Sequence, residues 1–254
     1  MRFSKILIAG TLVAVCTLVL LSCEKTFDDK IPVNQNLGNT SSVQVFIATT
    51  NAARNLVMVD GKRISRPTLA SGSSFPIAIY PSVTSGTYFS VPGGLRGFQI
   101  LDTAATTTQK PLIFSANMEV NKVYTIFAYD TITNPKQITV ETKIEIPQDT
   151  TARLRFANFI YDANAVPAVD VFSRRMNQVI FSTVSRTGVT DFITIPSLGT
   201  DSFYIREAGT TNVLATYPNA VSTTSFSPTM KRSYTLVYRG SHRGTRTASI
   251  FANY

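Results

Sequence analysis

The chain has 254 residues, of which 44% are hydrophobic and 15% charged, and its formal net charge is +9. This apolar fraction excludes a wholly disordered chain, and two Cys with a single His exclude a disulfide framework and a multi-histidine metal site. The length allows one large domain or two domains of roughly 100 residues each.

The first residues have the pattern of a secretory signal. Arg2 and Lys5 precede an apolar run over residues 6–21, which is short for a membrane span of about 20 residues. The run ends at Leu20-Leu21-Ser22-Cys23, which resembles the lipobox of bacterial lipoproteins. The resemblance implies that a signal peptide of residues 1–22 is removed and that Cys23 is linked to diacylglycerol, so that acyl chains such as palmitate hold the protein in the membrane. A plain secretory signal or an uncleaved anchor is the alternative.

Lipidation would leave a mature chain without a free thiol, because Cys16 lies in the removed segment and Cys23 is joined to lipid. Residues 23–42 have no periodic pattern and contain several turn formers, so they predict a flexible, lipidated tether. The acidic residues just after Cys23 loosely resemble export signals of surface lipoproteins of the Bacteroidetes, which implies the outer membrane. A solvated acidic linker is the alternative, so surface-exposed and periplasm-facing orientations both stay open.

Segments of the first half of the chain recur in the same order in the second half. The matched pairs are 43–46 with 154–157, 57–59 with 169–171, 89–92 with 193–196, 98–102 with 203–207, and 124–127 with 234–237. The offset between the members of a pair changes only by loop-sized amounts. We therefore predict two tandem copies, residues 43–147 and 152–254, joined by a short linker.

Each copy has the sequence pattern of an all-β domain. Its segments are short, rich in Val, Ile, Phe, Tyr and Thr, and alternate with a period of two between turn residues. In the first copy Val57 and Val59 share one face of a strand, and Asp60-Gly61 then predicts a tight hairpin turn. The pattern predicts two immunoglobulin-like β-sandwiches, whose cores are filled by aliphatic residues, Phe and Tyr because the chain has no Trp.

Several short motifs follow one another along the second copy. Arg155 and Asn158 form an R-x-x-N strand, residues 167–172 form a P-x-V-D-V-F strand, and residues 234–236 form a Y-T-L strand. In this order they resemble the family labelled domain of unknown function 4397. That family has Tyr in place of the Phe and a V-P-A-G segment where residues 195–199 are degenerate. The resemblance implies an extracytoplasmic bacterial protein, often with tandem copies, and no assigned activity.

The first copy departs further from that family, because Met58 stands where the second copy has Asp170 and no Arg matches Arg155. As a catalyst, Asp170 would need a partner such as Asp162 at a fixed separation of roughly 5–10 Å. Because the first copy has Met58 at this place, we interpret Asp170 as a structural carboxylate. It would then lie on the solvent side of a strand or accept hydrogen bonds from a neighbouring loop.

His242 is the only residue whose unperturbed side chain titrates near neutral pH. It lies in a segment rich in Gly and Arg that predicts a hairpin turn, so we interpret it as a solvated loop residue. The chain has no nucleophile elbow, no HExxH pair, no phosphate-binding glycine loop and no dinucleotide fingerprint. The sequence therefore predicts no catalytic residue, no metal site and no cofactor.

Five cationic residues crowd the last two predicted strands and the loop between them. They are Lys231, Arg232, Arg239, Arg243 and Arg246. Such charges suit contact with anionic lipid or lipopolysaccharide phosphate, whereas nucleic acid is not an expected partner of a secreted, lipid-anchored protein. Solvated strand faces are the simpler interpretation.

The leading hypothesis is a non-enzymatic outer-membrane protein, anchored through lipid on Cys23, whose two β-sandwiches bind an envelope protein or a polysaccharide. One alternative is a glycan-binding accessory lipoprotein of a polysaccharide-uptake system. Another is a fimbrial or adhesin subunit assembled by strand addition. A hydrolase is the least favoured class, and the oligomeric state is left open.

Overall fold

Short β-branched and aromatic segments form the strands, and polar turn residues separate them. The computed structural model describes residues 37–66, 68–76, 88–219 and 226–254. Within these ranges the regular structure is β-strand, apart from one turn of 3-10 helix at Leu37–Asn39. The predicted all-β class is therefore confirmed. The predicted signal peptide and Cys23 lie outside the described residues.

The first half contains nine strands in the described part of the chain. They are β1 (Thr40–Ile47), β2 (Asn55–Val59), β3 (Lys62–Arg63), β4 (Ser74–Phe75), β5 (Phe89–Pro92), β6 (Gly94–Asp102), β7 (Leu112–Met118), β8 (Val123–Thr131) and β9 (Asn134–Glu141). Sheet A has the order β4-β1-β8-β9, with β5 also paired to β1. Sheet B has the order β3-β2-β6-β7.

The second half contains eight strands within the described residues. They are β10 (Ala152–Tyr161), β11 (Val169–Ser173), β12 (Gln178–Val184), β13 (Ile193–Ile195), β14 (Phe203–Glu207), β15 (Val213–Tyr217), β16 (Ser233–Ser241) and β17 (Arg246–Ala252). Sheet C has the order β13-β10-β16-β17 and sheet D the order β12-β11-β14-β15. The recurring sequence segments lie in corresponding strands. In each half the first strand pairs in parallel with the penultimate one, β1 with β8 and β10 with β16.

The first strand and the first turn show how local sequence sets these elements. β1 begins at Thr40, three residues before the predicted copy boundary at Val43, because residues 40–42 pair with residues 90–92 of β5. Backbone pairing of polar residues leaves no hydrophobic signal, so the sequence assigned them to the tether. Asp60 and Gly61 have φ angles of 47° and 75°, as a tight hairpin turn between β2 and β3 requires.

Each half buries an apolar core between its two sheets, as expected for sandwiches. The first core contains Val43, Val45, Ile47, Ala52, Val57, Val59, Leu69, Val91, Phe98, Ile100, Leu112, Met118, Tyr124, Ile126 and Ala128. The second contains Ala152, Leu154, Phe156, Ile160, Val169, Val171, Phe181, Val184, Ile195, Phe203, Ile205, Leu214, Phe226, Leu236, Tyr238 and Ala248. Alternate residues of β1, β8, β10 and β16 are absent from these cores and point to the other face of their sheets.

That other face is a third buried cluster, in which sheet A packs against sheet C. The buried residues of this cluster are Phe46, Ala48, Phe127, Ala157, Phe159, Val237 and Phe251. Phe46 stacks on Phe251 at 4.9 Å between ring centroids, and Phe127 lies 4.8 Å from Phe159. The sheets are therefore stacked in the order B, A, C, D, and residues 38–254 form one compact unit.

The period-two alternation in the sequence does not predict this contact between the halves. In the structure the contact shows in the burial of single strands, since β1 is buried at five consecutive positions and β10 at seven. Strands that are buried on both faces have such near-continuous runs, whereas a strand of an isolated sandwich alternates. No helix in the described part of the chain is long and apolar enough to cross a membrane.

Candidate functional site

A cavity of about 430 Å³ opens where the two halves meet. It is lined by Val140, Glu141, Lys143, Glu145, Arg153, Arg155 and residues 189–192. These residues come from β9, the connection to β10, β10 itself and the loop before β13. We call this cavity the junction pocket. Its volume falls in the range of about 300–1,000 Å³ that is usual for small-molecule sites.

Arg155 lies at the base of the junction pocket and is only 2% exposed. Its Nε donates to Thr235 Oγ1 at 2.8 Å, within its own half. Its Nη2 donates across the contact to Thr125 Oγ1 at 2.9 Å and to Thr142 Oγ1 at 3.2 Å. The guanidinium carbon also lies 4.9 Å from the ring centroid of Phe192. One side chain thus joins the two halves and the pocket wall.

Burial lowers the pKa of Arg155 to about 10, because a charged guanidinium is poorly solvated inside the protein. Arg155 therefore stays cationic at neutral pH. Among the described residues no carboxylate lies within ion-pair distance of it. The hydroxyl groups of three threonines, which are neutral acceptors, make its hydrogen bonds.

The first half has Gln44 at the corresponding position. Gln44 is opposite Thr125 in the register of β1 and β8, as Arg155 is opposite Thr235 in the register of β10 and β16. The Gln44 amide donates to Ala252 O at 3.0 Å and accepts from Asn253 Nδ2 at 3.0 Å. Each of the two side chains therefore reaches the opposite half.

The other motif residue, Asn158, is fully buried and has a local structural role. Its Nδ2 donates to Val184 O at 3.0 Å, and its backbone pairs with residues 187 and 188. These bonds fix the loop between β12 and β13, which continues into the wall of the junction pocket. Of the two R-x-x-N motif residues, Arg155 thus lines the junction pocket, and Asn158 holds the loop that forms part of the pocket wall.

Asp170 and Asp162 are buried but have separate sets of partners. Asp170 accepts hydrogen bonds from the backbone amides of Thr183 at 2.7 Å and Gly209 at 2.8 Å. Asp162 accepts from the amide of Asn164 at 2.8 Å, which holds its pKa below the usual value, with Arg243 3.4 Å away. Of the two structural arrangements that the sequence left open for Asp170, the structure has the hydrogen-bonded one and not a position on the solvent side of a strand.

His242 lies in the hairpin turn between β16 and β17, where the sequence placed it. Its backbone amide donates to Tyr161 O at 2.7 Å. The described part of the chain contains no group of three or more His, Cys, Asp or Glu residues that could hold a metal ion.

The five clustered cations of the sequence do not form one patch. Lys231 and Arg232 precede β16, whereas Arg239, Arg243 and Arg246 lie at its far end. Arg239 is half-buried between the halves and donates to Ser71 and Ser249 at 3.0 Å each. Sequence proximity exaggerates the cluster because β16 separates its two ends.

The free face of sheet D carries two neighbouring aromatic side chains. Phe172 and Tyr204 are opposite each other on β11 and β14, with ring centroids 6.3 Å apart. The guanidinium of Arg206 lies 3.9 Å from the ring centroid of Phe172. The chain's own cation therefore covers the face of Phe172.

A family model described as "Domain of unknown function (DUF4397)" matches residues 41–171. The match covers the first half, all of β10 and the start of β11, and it includes Arg155 and Asn158. The motifs quoted from the sequence lie mainly in the second copy, whereas the match lies mainly over the first half and reaches the second copy only as far as residue 171. No curated protein matches the chain.

Among the solved structures that match the chain, two show only weak likeness. One is described as "Alpha-glucan recognition by family 41 carbohydrate-binding modules from streptococcal virulence factors"; it is 11% identical, with 82% of this chain and 96% of that chain covered and a TM-score of 0.25. The other is CBMbc (family CBM26) from Eubacterium rectale Amy13K in complex with maltoheptaose; it is 9% identical, with 83% and 96% covered and a TM-score of 0.22. Likeness at these TM-scores carries no argument about fold or ligand.

Proposed function

We propose that the chain is a lipid-anchored, non-enzymatic binding protein of the bacterial envelope that holds a saccharide in the junction pocket. The chain belongs to the family described as a domain of unknown function, DUF4397. Because that description assigns no function, the proposal rests on the chain's own residues. The observation behind the proposal is the pocket itself, which lies between the two packed halves and has the buried cation Arg155 at its base.

The lining of the junction pocket suits a polyhydroxylated ligand. Phe192 offers an apolar ring, one face of which lies against the Arg155 guanidinium, while Glu141, Glu145 and Asp191 offer exposed acceptors and Lys143 offers an exposed donor. Sugar rings present both C–H faces and hydroxyl groups, so they are bound by such mixtures of apolar and hydrogen-bonding groups. The chain has no Trp, so Phe192 is the flat surface that this pocket can supply.

Binding is favoured over catalysis by how the carboxylates are engaged. Asp170 holds backbone amides of β12 and of the β14–β15 loop, and Asp162 holds an amide of its own loop, in both cases away from the pocket lining. Arg155 is bonded to three threonine hydroxyls. Groups fixed in this way position the chain, whereas a general acid or base needs a free path to its substrate.

We propose that lipid on Cys23 is the membrane anchor and that the two halves are tandem copies of one domain. The proposed anchor follows from the lipobox-like Leu20–Cys23 segment. The common strand order and the reciprocal contacts of Gln44 and Arg155 support the proposed duplication.

The binding proposal is tested with the mature protein extracted from membranes in detergent and screened against immobilised oligosaccharides. Phe192→Ala is expected to weaken binding of any hit about tenfold, since a well-packed aromatic contact is worth roughly 1 kcal/mol or more. Tyr204→Ala on sheet D is the matched control and should bind like the unmodified chain. A complete lack of saccharide binding, or loss of binding only in the Tyr204 variant, contradicts the proposal.

The anchor is tested on whole cells. Cys23→Ala should move the protein from the membrane fraction to the soluble fraction, and the intact mass of the native protein should include acyl groups. Protease treatment of intact cells then distinguishes the orientations: loss of the C-terminal half without lysis places it outside the cell. An unacylated mass would contradict lipid anchoring.

A further inference from the structure

Arg155 has a donor nitrogen that the described part of the chain does not use. A guanidinium carries five N–H donors, and those of Nε and Nη2 serve the threonine hydroxyls of both halves. Its Nη1 makes no hydrogen bond within the described part of the chain. Because Arg155 lines the junction pocket, this nitrogen is available to a ligand there.

The charge of Arg155 is also unpaired among the described residues. Burying a cation without an anion is unfavourable, because protein groups solvate it less well than water does. A bound anion would offset this cost, and its hydrogen bond would be charge-assisted. Gln44 shows the contrasting solution in the first half, where a neutral amide has both its oxygen and its nitrogen bonded.

The charges around the pocket orient such a ligand. The acids Glu141, Glu145 and Asp191 are exposed, whereas Arg155 is buried at the base. Lys143 and Arg153 also line the pocket, so an anionic group would be attracted by three cations, of which Arg155 is the buried one, and repelled by the exposed carboxylates. Hydroxyl groups on the rest of the ligand would donate to those carboxylates.

We infer that the junction pocket takes an acidic saccharide, with the oxyanion of one sugar residue bound to Arg155 Nη1 and the sugar ring against Phe192. The inference rests on the proposed saccharide-binding function and adds to it the charge of the ligand. The oxyanion could be a uronic acid carboxylate or a sugar sulfate, which share this chemistry.

Isothermal titration calorimetry on the mature, detergent-extracted protein tests the inference with four matched probes. They are a trigalacturonate, its methyl ester, the neutral galactose trisaccharide and a sulfated galactose trisaccharide. We expect the trigalacturonate or the sulfated probe to bind at least tenfold more tightly than the methyl ester and the neutral trisaccharide. The preferred probe identifies the oxyanion.

The decisive variant is Arg155→Gln. It places in the second half the same residue type as Gln44, which is buried at the corresponding position of the first half. It should weaken binding of the acidic probe about ten- to hundredfold, as loss of a charge-assisted hydrogen bond predicts, and should weaken binding of the neutral probe much less. Arg206→Gln on sheet D removes a cation outside the pocket lining and should bind both probes normally.

Equal binding of neutral and acidic saccharides overturns the inference but leaves the proposed function standing. Absence of saccharide binding overturns both. If Arg155→Gln does not fold, the comparison of trigalacturonate with its methyl ester on the unmodified protein still decides, because the ester keeps the shape and removes the charge. Indistinguishable affinities for those two probes contradict a role for the oxyanion.

Discussion

Gln44 and Arg155 occupy corresponding places in the two halves, and both are buried between sheets A and C. Gln44 is satisfied within the protein, since Ala252 and Asn253 meet both ends of its amide. Arg155 keeps one nitrogen without a hydrogen bond in the described chain, and it faces a cavity. Two halves with the same strand order thus use one position differently. The shared fold provides the contact between the halves, and the charged residue in only one half provides the candidate site.

The largest expected effect is on stability, and it tests whether the two halves unfold together or independently. Phe127 is fully buried and touches Phe159 of the other half, so Phe127→Ala should lower the free energy of unfolding by about 3–5 kcal/mol. Because the contact serves both halves, differential scanning calorimetry should show one transition that moves as a whole. Ile113→Ala, at a residue that is 65% exposed, is the control and should change stability little. Two separate unfolding transitions, with a lower midpoint temperature only for that of the first half, would mean that the halves are energetically independent.

The second prediction exchanges the two compared residues. Gln44→Arg buries a second guanidinium beside Asn253 and Ala252, which already bond the Gln44 amide. It should lower the free energy of unfolding by about 3 kcal/mol. Arg155→Gln removes a buried charge at the expense of hydrogen bonds to threonines, so its net effect should be about 1 kcal/mol or less. Urea denaturation of both variants measures the difference. Equal losses would show that the two positions are equivalent after all.

The third prediction uses the pair Met58 and Asp170, where the halves also differ. Asp170→Met removes the acceptor of two backbone amides, of which one belongs to Thr183 at a β-bulge with a φ of 54°. The free energy of unfolding should fall by about 2 kcal/mol, because buried donors are left unsatisfied. Met58→Ala, at a half-buried residue, should lower the free energy of unfolding by less than Asp170→Met does. An unchanged urea midpoint for Asp170→Met would show that these bonds are not needed.

The smallest effect is a titration at the β2–β3 turn. The amide of Gly97 donates to Asp60 and, with Arg96, holds the pKa of that carboxyl below its usual value of 3.8. Because the folded pKa is lower than the unfolded one, this turn is stabilised above about pH 4 and loses the contribution as pH falls through the folded pKa. Carbon NMR of the Asp60 carboxyl should give a value under 3.8, and Arg96→Gln should raise it. A normal value in the unmodified chain would refute the assignment. The corresponding place in the second half is Phe172, which has no such group.

The sequence by itself determined the all-β class, the hairpin at Asp60-Gly61 and the recurrence of segments that lie in corresponding strands. These features depend on residues close together in the chain, namely alternation with a period of two and turn formers. The structural role of Asp170 was also accessible, because comparison with Met58 argued against catalysis.

The tertiary structure decided the contact between the halves and the identity of the candidate site. Arg155 stood in a recognised motif, yet its partners Thr125 and Thr142 come from the other half, 30 and 13 residues earlier in the chain. Its burial, and the pocket above it, exist only once sheet A packs on sheet C. Alternation tells which residues share a face, but not what covers that face, because the covering atoms belong to strands that are distant in sequence.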